Sequence, residues 1–172
     1  MQSGTSEGRG PHAGVCQSAN GLLYGTVYYG GSSSVGAIFE VDTAGNYNLV
    51  RSFQTTGGDG QNPNSELVES SDGFLYAATY AGGSGGGGSL FKIKNDGTGY
   101  TVLQNFSTAA NELETPNSLI KGLNGALYGT TRYGGGLGAG CVFALTASLR
   151  YCADLCARLL LPHLAFRPLG LG

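Results

Sequence analysis

The sequence predicts an all-β fold in which four-stranded antiparallel meanders sit side by side as a partial β-propeller of about three blades. Three observations carry this expectation. The chain repeats itself with a period of about 52 residues, its apolar runs are short and separated by glycine-rich turns, and no helical period appears before residue 148. An open stack of sheets is the alternative architecture.

The repeat is visible by eye. NGLLYGTVYYGG at residues 20–31 returns as DGFLYAATYAGG at 72–83 and as NGALYGTTRYGG at 124–135. Tyr24, Tyr76 and Tyr128 fall in phase, as do Gly30, Gly82 and Gly134, and Phe39, Phe91 and Phe143. Upstream, PHAGVCQSANG from Pro11 aligns with PNSELVESSDG from Pro63, while Pro116 arrives one residue late and a deletion before Asn124 restores the phase. The stretch GGSGGGGS (82–89) has the composition of a flexible linker, yet Phe91 beyond it keeps its phase. It is therefore a loop of the repeat.

Within the second copy, LVES (67–70) reads as a strand, Asp72-Gly73 as a tight turn and FLYAATY as the returning strand. Asp-Gly and Asn-Gly between apolar runs are strong hairpin signals because both turn residues need positive φ. SLFKIK follows the glycine loop as a third strand, NDGTG turns the chain, and YTVLQNF (Tyr100–Phe106) is a fourth. STAANELETPNS is expected as a long loop to the next copy. Neighbours such as Leu75 and Tyr76 point to opposite faces, so each sheet is apolar on both sides and calls for a sheet on each.

Composition sets limits on function. The 172 residues include 32 glycines, a non-collagen pattern without a three-residue period. A net charge of −2 gives no electrostatic reason for binding nucleic acid or an anionic membrane. No apolar run, Leu159–Leu161 included, is long enough to cross a bilayer. The N-terminal MQSGTSEGRG lacks the basic-then-apolar pattern of a signal peptide.

Leu23–Thr26, Gly30, Gly31, Gly36 and Phe39, then Val50 and Phe53, then Gly58–Gly60 and Pro63 follow the pattern LYGTT-x-x-GG, G-x-x-F, L-x-x-F and G-x-DG-x-x-P. This pattern resembles the GloVer repeat, found in tandem in bacterial proteins and described as propeller-like. The second and third copies keep most of it, with Ala77 and Ala78 in place of Gly-Thr. The resemblance covers about residues 11–147 and implies an extracellular or surface repeat protein. It implies no catalytic residues.

Both ends depart from the pattern. Residues 1–10 align with the inter-blade loop before Pro63, and the repeat region is expected over 11–148. From residue 149 to 172 the glycine rhythm stops, and the third unit is expected to lack its fourth strand and to leave FALT (143–146) as an open edge. Leu149, Cys152, Cys156, Leu159 and Leu160 fall near helical spacing, so 149–172 reads either as a short capping helix or as a non-native tail. Open edges and apolar faces favour self-association.

Candidate chemistry is sparse. Cys16 and Cys141 take the slots of small strand residues, and the Cys152/Cys156 pair has no second ligand pair at zinc spacing, so no metal site is expected. GGDGQNP (57–63) offers one carboxylate, Asp59, too few for a calcium cage, and reads as a turn between blades. No cofactor motif is present, since the YYGG and YAGG stretches lack the lysine and following helix of a phosphate loop. Tyr28, Tyr80 and Arg132 share one repeat position at a strand end beside the glycine loop, and Tyr29 and Tyr133 share the next. These five are weak ligand-binding candidates, since tyrosine offers a sugar ring an apolar face and a polar tip; packing between blades is the favoured role. Two histidines and acids at no common repeat position argue against catalysis. The expectation is a non-enzymatic structural or interaction module, with a protein or glycan surface partner. A carbohydrate-binding module using the rim tyrosines is the alternative.

Overall fold

The computed structural model describes residues 8–109, 114–135 and 138–145, together with the backbone of 149–154. The first blade is the meander β1 (Cys16–Gln17), β2 (Leu23–Val27), β3 (Ala37–Val41) and β4 (Tyr47–Ser52). The second contains β5 (Gly60–Pro63), β6 (Val68–Glu69), β7 (Phe74–Gly82), β8 (Gly86–Lys94) and β9 (Thr101–Ser107). The third contains β10 (Glu114–Lys121), β11 (Leu127–Tyr133), β12 (Cys141–Leu145) and β13 (Leu149–Asp154). All pairings between these strands are antiparallel, and residues 20–106 contain no helix.

Three details depart from the sequence expectation. First, the innermost strand of each blade starts earlier than expected, inside what reads as inter-blade loop. Gln61 pairs with Ala81 in β5–β7, Glu114 with Tyr133 in β10–β11, and Arg9 with Tyr29 at the equivalent point of the first blade. Each of these extensions carries a proline preceded by a left-handed residue, Gly10 (φ 68°), Asn62 (φ 56°) and Thr115 (φ 51°). Proline has no N–H for the ladder, so the strand breaks or shifts register there; this hides it from a periodicity reading.

Second, the third blade has its fourth strand. β13 pairs with β12 from Cys141↔Asp154 to Leu145↔Leu149, so Phe143–Leu145 is not an open edge and Leu149–Asp154 is not helical. An exposed strand edge presents backbone groups that any segment without proline can pair, whatever its side chains. The remainder of the expected tail, 155–172, lies outside the described residues.

Third, the linker-like glycines are part of the sheet, since Gly86–Lys94 is one strand. A Cβ at Gly87 would fall 2.9 Å from Ser107 backbone, and one at Gly85 would collide with the Phe106 carbonyl. The end of β9 lies directly on this backbone, and only glycine leaves room for it.

Each sheet is apolar on both faces. Leu75, Ala77, Phe91 and Ile93 pack toward the first blade with Tyr24, Ile38, Phe53 and Leu67, and the Phe53 and Phe91 rings meet edge to face at 5.3 Å. The alternate residues Ala78 and Leu90, with Tyr76 beside them, pack toward the third blade with Phe106, Leu119 and Phe143. Spacing between blades is fixed by a proline seated on a glycine. Gly36 (φ 104°) faces Pro63 Cδ and Gly88 (φ 96°) faces Pro116 Cδ, in each case where a Cβ would intrude.

The hairpin turns carry a second repeated device. Asn20 Nδ2 donates to the Tyr24 hydroxyl at 2.9 Å and Asn124 Nδ2 to Tyr128 at 2.9 Å, while the Tyr76 hydroxyl donates to Asp72 Oδ2 at 2.7 Å. The same turn residues accept from the backbone N–H of Leu22, Ala126 and Phe74. The tyrosine of each LYGTT motif thus ties a turn to the strand that follows it. Burial, with the Asp72 carboxylate beside it, pushes the Tyr76 hydroxyl up to about 12.

Two outcomes are expected. Replacing Gly36 by Ala strains a left-handed residue and pushes on Pro63, lowering stability by about 2–4 kcal/mol in urea unfolding. Gly45→Ala, at φ 87° with open space around it, should cost only about 1 kcal/mol. Similar losses at the two positions would contradict the glycine–proline seat. Tyr76 has its folded value raised above an ordinary 10.0, so its contribution is whole below pH 10 and is lost as pH rises toward 12. The urea midpoint of the native chain should fall across that window, and fall less in Tyr76→Phe.

Candidate functional site

The first strands of the second and third sheets also lie against the sheet before, β5 against β2 and β10 against β7 and β8. This marks the first strands as the inner ones, where blades converge. At the end of β2, beside the glycine loop, the structure gathers four rings. His12 stacks on Tyr28 with centroids 4.6 Å apart and planes 22° apart, Tyr29 meets Tyr28 edge-on at 4.7 Å, and Tyr80 of the second blade approaches Tyr28 at 6.2 Å.

Backbone bonds hold this rim in place. Tyr28 N–H donates to the Gly10 carbonyl at 2.9 Å, and Tyr29 and Arg9 exchange both backbone bonds. Asn62 of the second blade donates from Nδ2 to the Tyr28 carbonyl at 3.0 Å and from its N–H to the Val35 carbonyl at 2.7 Å. Burial, then the nearness of Tyr29 and Tyr80, raises the Tyr28 hydroxyl above the ordinary tyrosine range. Tyr28 and Tyr80 are partly buried, His12 is exposed, and Tyr29 is 51% exposed.

Of the five sequence candidates, Tyr28, Tyr29 and Tyr80 come together. Arg132 and Tyr133 form a separate pair on the third blade, the guanidinium 5.1 Å from the ring centroid and both side chains exposed. His12 is the member that sequence reading passed over. It follows the first-blade proline directly, and the pairing of Arg9 and Gly10 with the end of β2 is what carries it to Tyr28.

Asp59 is 8% exposed, and its carboxylate is fully engaged. Oδ2 accepts from Arg51 Nη2 at 2.8 Å and from the Gln54 N–H at 3.0 Å; Oδ1 accepts from the Gly60 N–H at 2.9 Å and from the Tyr100 hydroxyl. The Arg51 guanidinium lies 3.6 Å above the Tyr100 ring. Arg51 belongs to β4 and Tyr100 precedes β9, so the cluster ties the first blade to the second. A single carboxylate paired with arginine has no charge left for a divalent cation; of the motif read as a turn, Gly57–Gly58 turn the chain and Gly60–Pro63 form β5. Burial, with Asp59 next, drives the Tyr100 hydroxyl far above the ordinary range. Glu69 of β6 likewise accepts from Ser18 Oγ at 2.7 Å and from the Ala19 N–H at 2.9 Å in the first blade.

Cys141 is buried, 3.5 Å from Thr131 Oγ1, in the same register as Ser89 against Thr79. Cys16 and Cys141 are both free thiols that serve as small strand residues. Among the described residues no group of three His, Cys, Asp or Glu side chains could hold a metal, and no helix is long and apolar enough to cross a membrane. At the turn end of the blades, a cleft of about 310 Å³ lies between the second and third, lined by Ser70, Tyr76, Asn124, Leu127 and Leu145.

The meanders, their shared faces and their inner first strands define a β-propeller repeat protein. The chain belongs to the Gloeobacter/Verrucomicrobia repeat family, which it matches over residues 1–154. No curated protein matches it in sequence. Among solved structures it is similar to one in the nidogen/laminin complex, at 15% identity and TM-score 0.53, covering 83% of this chain and 48% of that one. It is similar to a candidate gluconolactonase at 19% identity and TM-score 0.55, covering 81% and 48%. An ulvan lyase of a polysaccharide lyase family, bound to -[GlcA(1-4)Rha3S]-, matches at 15% identity and TM-score 0.57, covering 88% and 39%. The chain thus spans less than half the length of each of these structures, and likeness at such identity is a likeness of fold.

Proposed function

We propose that the chain is a non-enzymatic interaction module of an exported or surface-located bacterial protein. One observation carries this reading: the buried acid engages in joining blades rather than facing a cleft. Asp59 is held by Arg51, Tyr100 and two backbone N–H groups, and the less buried Glu69 reaches across in the same way to Ser18 and Ala19. A general acid or base needs a free lone pair or proton within reach of substrate, and all four lone-pair sites of the Asp59 carboxylate are taken. The bacterial, surface-located setting rests on the repeat family alone.

The rim supports a second reading, recognition of a glycan. Tyr29 stands half exposed beside a cluster of three further rings, of which His12 and Tyr28 stack, and exposed aromatic faces with polar tips suit the apolar face of a sugar. The ulvan lyase is itself bound to a glycan, which makes uronic-acid polysaccharides the first probes to use.

Lactones and uronic-acid polysaccharides incubated with the full chain should show no turnover above buffer. Turnover abolished by His12→Ala would overturn the non-enzymatic reading. On a glycan array, saturable binding lost in Tyr29→Ala selects the glycan reading, and absence of binding leaves a protein partner.

A further inference from the structure

The two seams inside the chain differ at the turn end of the sheets, away from the aromatic rim. There the first seam is closed by acids. Glu69, paired with Leu75 across β6–β7, reaches back to Ser18 Oγ at 2.7 Å and to the Ala19 N–H at 2.9 Å. Glu40, paired with Tyr24 across β2–β3, lies at the same end of the seam. Burial, with the Glu40 and Glu69 carboxylates beside it, raises the Tyr24 hydroxyl above the ordinary tyrosine range. Ser18, Tyr24 and Ile93 are all buried at this closed end.

In the second seam lysines stand in place of both acids. Lys121 pairs with Leu127 in the register of Glu69 with Leu75, and Lys92 pairs with Tyr76 in the register of Glu40 with Tyr24. Lys121 is exposed, and Lys92 lies over the Phe74 ring with Nζ 4.3 Å from its centroid. Ser70 and Ser71 hold the repeat positions of Ser18 and Ala19. Among the described residues, however, nothing accepts from the Ser70 hydroxyl or the Ser71 N–H. Ser70, Tyr76 and Leu145, the counterparts of Ser18, Tyr24 and Ile93, are only half-buried, and they line the cleft of about 310 Å³. The Asp72 carboxylate at this end is engaged by the Tyr76 hydroxyl and the Phe74 N–H, with Lys92 as its nearby cation.

We propose that this cleft binds a small aliphatic carboxylate, whose head takes in the second seam the place that the Glu69 carboxylate takes in the first. The Ser70 hydroxyl and the Ser71 N–H donate to its oxygens, and Lys121 and Lys92 supply positive charge. Leu127 and Leu145 hold a stem of a few carbons, as the side chain of Glu69 itself has. Hydrogen bonds to an ionised acceptor are about twice as strong as neutral ones, so the charged acid is preferred over its amide. The volume falls at the low end of small-molecule sites, about 300–1,000 Å³, which suits a short acid rather than a sugar chain. This site is therefore separate from the aromatic rim in both place and chemistry.

Titration of the isotope-labelled full chain with butyrate, followed by NMR, tests the proposal. The amides of Ser70, Ser71, Leu127 and Leu145 should shift together and saturate in the millimolar range, and butyramide should leave them in place. Shifts that never saturate, that butyramide reproduces, or that fall on the rim instead overturn it. Lys121→Glu should weaken butyrate at least about tenfold, because the introduced carboxylate competes for the donors and the cation is gone. In that variant the Ser71 amide should move toward its butyrate-bound position with no ligand added. Ser70→Ala removes a donor at a half-buried position and should also weaken butyrate about tenfold, which keeps the test open if Lys121→Glu does not fold. Unchanged affinity in either folded variant overturns the site.

Discussion

Everything in this fold depends on the fact that each sheet is apolar on both faces. A strand with Leu75 and Ala77 on one side and Tyr76 and Ala78 on the other cannot leave either side in water without exposing a large hydrophobic surface. The sheets must therefore stack, and the stack sets the requirements of the rest of the sequence. Glycine is needed where a neighbouring backbone or proline comes within contact distance. Polar groups at the seams must find partners across them, as Asp59 and Glu69 do. The tyrosine that anchors each hairpin turn is buried in the first blade and half-buried in the other two, with its hydroxyl reaching back to the turn.

Much of this was legible in the sequence. The phase of Tyr24, Tyr76 and Tyr128 and of the three phenylalanines gave blade number and strand order, because the residues that fix a seam must recur at each seam. The glycine stretch at 82–89 was readable as native for the same reason. What the sequence hid was backbone pairing that leaves no side-chain period. β5 is Gly-Gln-Asn-Pro, with a left-handed residue and a proline, and it pairs through backbone groups of residues that look like loop. β13 was invisible because its sequence leaves the repeat while its backbone still completes the ladder.

The candidate site was half legible. Tyr28, Tyr29 and Tyr80 were flagged by their position beside the glycine loop, and they meet because that position lies near the convergence of the blades. Arg132 and Tyr133 occupy the same repeat positions one blade on and make their own pair. His12 and the Arg51–Asp59–Tyr100 cluster occur once, so repetition offered no signal for them. Residues that serve one seam or one rim are found only by folding the chain, and this explains why architecture reads more readily than activity in a repeat protein.

The central claim is that no blade is stable by itself and that the seams hold the fold. Native-state amide exchange of Phe91→Ala, followed residue by residue by NMR, tests it directly. Phe91 lies in the second blade but fills the seam with Phe53, so its removal should lower the opening free energy of β2–β4 and β7–β9 together, by about 3–5 kcal/mol. Retention of full protection in β2–β4, with loss confined to the second blade, would show that the blades are independent and contradict the account.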